Sequence, residues 1–360
     1  MLVLVLNLIY LAVILAVHAG DEQVFVTRGQ CFSECHDNPG AACDPNTLGY
    51  DGQFFYYIAR DPAESPHCLD VPAYRLQRIL LPMLGRVLTL GYEPLIPWAF
   101  VAINVAALTA GTALLEDLLV REKVSRWFAL TYGLFLGVFM AVRLSTAETL
   151  AYGLVIAGLW FSARERLLLT AVMLALAMLA KETTGLFAAG YLFYLALHAR
   201  WHDALRMAVI VGAPFAVWQL VIYLWLGHWA PGSGGAGATP FEIIPYNAVW
   251  RSLHDPDPTI AAILALLLLP TAVLPSMLSL IYTVRDFLRR RWDLYACLLF
   301  FNALIMLFLP FSTYRTFLGL LRFMPGLVLA FVLYTARHQP HRPLVYSTLW
   351  IVLLLFLEVG

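Results

Sequence analysis

The chain has 360 residues, of which 61% are hydrophobic and 13% are charged, and its formal net charge is zero. This composition is too apolar for a soluble domain, and the balanced charge gives no indication of a nucleic-acid partner. The sequence has no glycine-rich phosphate-binding loop of standard spacing, which argues against a nucleotide-driven pump.

Apolar segments recur along the whole chain, and runs of about 20 residues are long enough to cross the ~30 Å hydrocarbon core as helices. We therefore expect one all-α transmembrane domain over residues 1–360, with about eleven spans. Several predicted spans are short, which indicates tilted, kinked or partly inserted helices. The predicted spans are 1–19, 94–119, 127–142, 149–161, 167–180, 186–198, 207–226, 259–284, 294–310, 316–335 and 343–358.

The first span has an alternative interpretation as a cleaved signal peptide, because Val17-His18-Ala19 resembles a small-residue cleavage site. The apolar stretch is longer than the usual signal core, and no basic segment precedes it. These two features favour a first span that is retained.

Loop charge predicts the orientation of the chain. With the N-terminus inside, the inner loops carry thirteen Lys and Arg residues, whereas the outer side beyond the first loop carries five. The five are Arg143, Lys181, Arg251, Arg315 and Arg322. The long loop 20–93 then faces the extracytoplasmic side.

Four of the five cysteines, Cys31, Cys35, Cys43 and Cys68, fall in this first loop, and Cys297 lies in a span. In an oxidising compartment four loop cysteines indicate two disulfides, with three possible pairings. A zinc site with His36 or His67 is the alternative, although the loop has no Cys-x-x-Cys pair.

Two interfacial helices are expected in the same loop, at 51–60 and at 73–91, the second of them with a possible break at Pro82. On an unbroken helix Arg75, Arg78 and Arg86 share one face opposite a leucine-rich face, as in a helix lying at a membrane surface. A break at Pro82 would remove Arg86 from this face.

The second long outer loop, 227–258, is rich in glycine and cannot form a packed core of its own. Its composition is compatible with a flap over an outer cavity and equally with a flexible connector.

Polar residues that lie near the outer ends of the predicted spans indicate an outward-facing cavity with one carboxylate and several cations. Ionisable groups at that depth usually face an interior cavity, although terminal Lys and Arg also extend to headgroups. Guanidinium groups suit the phosphate of a lipid, and a carboxylate could take a proton from an acceptor hydroxyl. Asp51 is the candidate base, Arg75, Arg78, Arg315 and Arg322 are candidate phosphate ligands, and further candidates for substrate contact are Tyr50, Gln53, Tyr74, Arg143, Glu148, Lys181 and Glu182.

The segment Tyr50-Asp51-Gly52-Gln53-Phe54-Phe55-Tyr56 resembles the Asp-Gly motif of the GPI-assembly mannosyltransferases, which belong to the GT-C superfamily of polytopic glycosyltransferases. The stretch from Tyr74 to Pro82 is similar to a Tyr-Arg-x-x-Arg-Ile-Leu-x-Pro motif of largely uncharacterised bacterial members, and Lys181-Glu182 looks like a Lys-Glu pair of several members. The resemblance implies a GT-C-like bundle in a bacterial plasma membrane, with inverting transfer from a polyprenyl-phosphate sugar at the outer face. The acceptor would be a glycan, a lipid or a protein.

The sequence departs from many members of the superfamily in one respect. They carry two adjacent acidic residues in the first loop, whereas Tyr50 and Gly52 flank Asp51. This difference favours a single metal-independent base, so neither a cofactor nor a divalent cation is expected.

Two other functions fit parts of the sequence. A lipid or solute transporter could use the same cations for recognition, although no inverted repeat is visible. A non-catalytic assembly or receptor protein could use the cysteine-rich loop, and Asp51-Gly52 is also an ordinary turn pair.

Overall fold

The computed structural model describes residues 1–32, 35, 48–255, 257–338 and 341–357. Helices make up 76% of it. The described residues form no β-strand, although an isolated antiparallel bridge joins Arg28 and Gly49. The predicted all-α class is thus confirmed.

Helices of the N-terminal half are α1 Leu2–Val17, α2 Gly52–Arg60, α3 Pro72–Leu76, α4 Leu80–Thr89, α5 Ile96–Arg121, α6 Leu130–Gly133, α7 Leu136–Arg143, α8 Glu148–Ser162, α9 Leu167–Ala180 and α10 Gly185–Leu197. Those of the C-terminal half are α11 Trp201–Leu226, α12 Asn247–Leu253, α13 Pro258–Leu268, α14 Leu274–Leu288, α15 Leu294–Leu304, α16 Phe311–Arg315, α17 Phe317–Phe323, α18 Pro325–His338, α19 His341–Tyr346 and α20 Leu349–Val352. A π-helical turn at Leu269–Val273 joins α13 to α14.

Three continuous helices of the described residues are long and apolar enough to cross a membrane: Glu93–Arg121, Trp201–Leu226 and Pro258–Leu288. A fourth span results if Phe317–Phe323 and Pro325–His338, which meet at 45°, are taken together. This bend coincides with Pro325 at the start of α18, where proline is compatible with a new helix but not with the interior of an old one. The chain therefore has the features of an integral membrane protein.

The other predicted spans are shorter or interrupted, so the expected count of eleven stays a prediction. Leu2–Val17, Glu148–Ser162 and Leu167–Ala180 are apolar helices of 10–17 residues. The predicted span 127–142 is divided between a 3₁₀ turn at Arg126–Ala129 and the short helices α6 and α7.

The helices pack side by side so that their ends form two polar layers. Helix α8 packs between α5 and α9, while α15 packs against α10, α14 and α18. At one end α8 begins with Glu148, and at the other Asp117 of α5 pairs with Arg121 and Arg164. We call the two layers the Asp51 end and the Asp117 end.

The second helix of the first loop is broken at a different place from the one expected. The chain leaves α3 after Leu76 and begins α4 at Leu80, so that Pro82 lies in the first turn of α4. Proline is tolerated there because the first turn has amide groups without intrahelical partners. Arg86 consequently leaves the Arg75 face and donates to the carbonyl oxygens of Ala59 and Arg60.

The cysteine pairing agrees in part with the prediction of two disulfides among the four loop cysteines. Cys35 and Cys68 form a disulfide, which excludes a zinc site that uses either thiol. Cys31 is also disulfide-bonded, and Cys43 lies outside the described residues. Cys297 is a buried free thiol in α15.

The glycine-rich outer loop packs against the rest of the protein. The amide of Ala236 donates to Asp70 Oδ2 at 3.0 Å, and Thr239 exchanges hydrogen bonds with Ser312. Further along, the amides of Glu242 and Tyr246 donate to the carbonyl oxygens of Phe308 and Leu307. These contacts hold the loop against the Asp51 end, and its role as a flap stays a prediction.

Candidate functional site

The backbone around Asp51 is fixed by two glycines. Gly49 adopts φ +71°, a left-handed conformation that favours glycine, and Tyr50 then donates its amide to the Thr27 carbonyl. A Cβ on Gly52 would collide with the carbonyl oxygen of Leu144, so the turn before α8 requires glycine after Asp51. The Asp-Gly pair thus reflects close packing of two segments.

Asp51 stands at the N-terminus of α2, but its carboxylate does not cap the helix. Each oxygen instead binds a different guanidinium group, Oδ1 that of Arg75 at 3.0 Å and Oδ2 that of Arg322 at 2.5 Å. The Asp51 side chain is 25% exposed, so solvent still reaches it. A carboxylate serving only the turn would not require two distant arginines.

Arg322 links Asp51 to a second, more deeply buried acid. Its Nε donates to Glu148 Oε1 at 2.7 Å, and the Lys181 ammonium donates to the same oxygen at 2.6 Å. The Glu148 side chain is 1% exposed. Tyr50 completes the surroundings of Arg322, with its hydroxyl 3.2 Å from Nη1 and its ring beneath the guanidinium.

Arg75, like Arg322, binds Asp51 and a second acid, and for Arg75 this second acid is Asp70 of the first loop. Its Nε and Nη2 each donate to a separate oxygen of Asp70 at 2.7 Å, a bidentate geometry that holds the guanidinium plane. The Phe54 ring lies 4.3 Å from the guanidinium carbon. Arg75 is thus shared between a buried partner, Asp70, and the partly exposed Asp51.

Arg78 forms a third pair beside these two. Its Nε and Nη2 bind both oxygens of Glu182 at 2.8 and 2.6 Å, and Nη2 also contacts the Tyr74 hydroxyl at 2.6 Å. The bond to Glu182 joins the first loop to the turn between α9 and α10. Arg78 and Glu182 are 104 residues apart in sequence.

We call these eight side chains the charge cluster. Four cations face four carboxylates, so the cluster is formally neutral, and it differs from the expected cavity with one carboxylate and several cations. At the Asp51 end, the described residues therefore do not form a basic pocket that is open to any anion. The members are Asp51, Asp70, Arg75, Arg78, Glu148, Lys181, Glu182 and Arg322.

The electrostatic state of Asp51 follows from these neighbours. Burial alone would raise the pKa of its carboxyl, but the charges of Arg75 and Arg322 outweigh burial and hold the pKa well below its usual range. Asp51 is consequently ionised at neutral pH, and it is a weak base while both guanidinium groups bind it.

Five predicted site residues are not members of the cluster. Tyr50 and Tyr74 contact Arg322 and Arg78, and the other three form separate contacts or none. Arg315 pairs with Asp255, since α16 ends at Arg315 and Thr316 is extended, which separates it from Arg322 on α17. Gln53 uses its amide within the loop, accepting from Gly29 and donating to Leu48. Arg143 has a buried Nε without a hydrogen-bond partner among the described residues.

Asp70 is a cluster residue that sequence analysis did not single out. It lies five residues before Arg75 in the same loop. This short separation from a candidate phosphate ligand is the sequence feature that could have identified Asp70. Its contact with the amide of Ala236 also connects the glycine-rich loop to the cluster, which no local pattern indicates.

Two cavities, of about 560 and 800 Å³, open at the Asp117 end, away from Asp51. At the Asp51 end the charged side chains pair with one another, and Glu148 Oε2 is a buried oxygen without a hydrogen-bond partner among the described residues. Among the residues that the structure describes, no three His, Cys, Asp or Glu side chains are grouped so as to hold a metal ion.

Comparisons of the chain with protein-family models, with curated proteins and with solved structures found no match.

Proposed function

We propose that this protein is an inverting membrane glycosyltransferase of the GT-C type, which moves a sugar from a polyprenyl-phosphate donor to an acceptor hydroxyl. The observation that supports the proposal is the position of Asp51, a partly exposed carboxylate held between Arg75 and Arg322 at the end of a membrane bundle. Such an arrangement provides an acid–base group and phosphate ligands within a few ångströms of each other.

In the proposed reaction the acceptor oxygen attacks the anomeric carbon and its proton passes to Asp51. The bond between the anomeric carbon and the phosphate oxygen breaks, and the polyprenyl phosphate leaves with the electron pair. Arg75 and Arg322 would stabilise the charge that develops on the departing phosphate, since guanidinium groups bind phosphate oxygens in pairs. Inversion follows because attack and departure occur on opposite faces of the sugar.

Donor binding would also make Asp51 a better base. In the structure both of its oxygens bind guanidinium groups, which lowers the proton affinity of the carboxylate. A donor phosphate at the same two arginines would share their positive charge, and the pKa of Asp51 would rise toward its ordinary value. The acid would therefore gain basicity only when a donor is present to react.

Substitution of Asp51 by asparagine separates the proposed proton transfer to Asp51 from phosphate binding by the arginines. Transfer from a panel of labelled polyprenyl-phosphate sugars in proteoliposomes should fall by about 10²–10⁴-fold, the usual contribution of a general base. Affinity for polyprenyl phosphate, measured separately, should stay the same or increase, because the anion that competes for the arginines is gone. The matched control is Asp61→Asn, which removes an exposed carboxylate of the same loop outside the cluster.

Several outcomes would contradict the proposal. Full transfer by Asp51→Asn would exclude the base role, and a loss of activity in Asp61→Asn of equal size would indicate a general effect on the loop. Movement of intact donor lipid between leaflets, with no sugar transferred by the unaltered protein, would favour the transporter alternative.

A further inference from the structure

The Asp117 end carries a basic cavity that the proposed reaction does not use. Its volume is about 560 Å³, and it lies where α14 and α18 end and α19 begins. Four arginines line it, Arg285, Arg289, Arg291 and Arg342, and we call it the arginine cavity.

The positive charge of the arginine cavity is not balanced within the described part of the chain. No ion pair joins any of the four arginines to a described carboxylate, whereas Arg121 and Arg164 at the same end share Asp117. The carboxylate that lines the cavity, Asp286, is largely buried and accepts a hydrogen bond from the Tyr334 hydroxyl at 2.7 Å. The cavity therefore presents an excess of guanidinium groups.

Apolar surface adjoins the cavity directly. Ile281, Val284 and Leu288 form a stripe on α14 with exposed fractions of 57%, 42% and 81%, each one position before or after a lining residue. This stripe belongs to the last turns of the candidate span Pro258–Leu288. A boundary between hydrocarbon-facing side chains and arginines is where the phosphate group of a bilayer lipid lies.

We propose that the arginine cavity binds the phosphodiester headgroup of an anionic phospholipid, with the acyl chains lying along the α14 stripe. Guanidinium forks fit phosphate oxygens, and several arginines on one cavity favour a lipid with net negative charge over a zwitterionic one. The proposal concerns the opposite end of the molecule from Asp51 and does not depend on glycosyl transfer.

Native mass spectrometry of the full-length protein in detergent tests this site. Phosphatidylglycerol and phosphatidylcholine with identical acyl chains are the probes, and inorganic phosphate is a third. We expect phosphatidylglycerol to bind at least about tenfold more tightly than phosphatidylcholine, and Arg289→Gln to weaken it about fivefold, the effect expected of one arginine near a lipid surface. Inorganic phosphate at the same concentration should leave the lipid adduct unchanged.

Arg290→Gln is the matched control, because Arg290 is the next residue in sequence and does not line the cavity. It should leave phosphatidylglycerol affinity within twofold of the unaltered protein. An equal loss in both variants would show a general charge effect, and equal binding of the two lipids would show that the headgroup charge is not recognised. Displacement of the lipid by inorganic phosphate would indicate a soluble-anion site. Each of these three results would overturn the proposal.

Discussion

Replacement of Arg322 by alanine should strongly destabilise the protein, because this arginine holds two acids at once. Its Nη1 and Nε bind Asp51 and Glu148 at 2.5 and 2.7 Å, and its side chain is 10% exposed. Removal of one partner from a buried ion pair typically costs 3–5 kcal/mol, since the remaining charge is left in a poorly solvated place.

The lower end of that range applies to Arg322, because neither acid is left without a cation. Lys181 still binds Glu148, and Arg75 still binds Asp51. We therefore expect Arg322→Ala to lower the free energy of unfolding by about 3 kcal/mol. The assay is a denaturant titration of the purified protein in detergent micelles, with helicity as the signal.

Arg121→Ala provides the comparison, since Arg121 is 42% exposed and its partner Asp117, which lies outside the cluster, is 44% exposed. Partly exposed pairs contribute about 0–1 kcal/mol, so this variant should unfold nearly as the unaltered protein does. Equal losses in the two variants, or a loss below about 1 kcal/mol for Arg322→Ala, would refute the assignment of Arg322 to a buried network.

Three further outcomes follow from the charge cluster. Arg75 and Arg322 lower the pKa of Asp51 in the folded protein. The ionised Asp51 carboxylate therefore stabilises the fold fully above its pKa in the unfolded chain, about 4, and this stabilisation is lost as the pH falls through its pKa in the folded protein. Asp51→Asn should flatten this fall of the unfolding free energy at acid pH. For the transfer reaction, the acid limb of kcat should lie at higher pH than that of kcat/KM, since donor phosphate would raise the pKa of Asp51, and coincident limbs in a pH–rate series would argue against shared arginines. Glu148→Gln should lower the unfolding free energy by more than Asp51→Asn in the same denaturant titration, because Glu148 is 1% exposed and Asp51 is 25% exposed.

The nearness of Asp51 to Arg75 and Arg322 could be predicted from sequence because a membrane limits the possible places for charges. Helices that cross a bilayer bring their ends to one of two faces, so polar residues at successive outer ends must share a layer. The same reasoning placed Glu148 and Lys181 near one another. In each case the structure brings the side chains into contact.

The sequence does not predict which charged side chains of that layer form ion pairs with each other. Arg315 and Arg322 are both candidate phosphate ligands in the sequence, but the extended Thr316 separates α16 from α17, and Arg315 pairs with Asp255. The contact of Asp70 with the glycine-rich loop depends on the path of two loops that lie 166 residues apart. Such long-range contacts of irregular segments leave no periodic signal in the sequence.

The distribution of acids around the two arginines suggests how one cluster can serve both stability and chemistry. Arg75 and Arg322 each bind a buried acid, Asp70 or Glu148, and each also binds the more exposed Asp51. If Asp51 released either arginine to a donor phosphate, as proposed, that guanidinium would keep its buried partner and would not become an isolated buried charge. The cost of the proposed exchange would therefore fall mainly on a carboxylate that water already reaches, which suits Asp51 to take a proton.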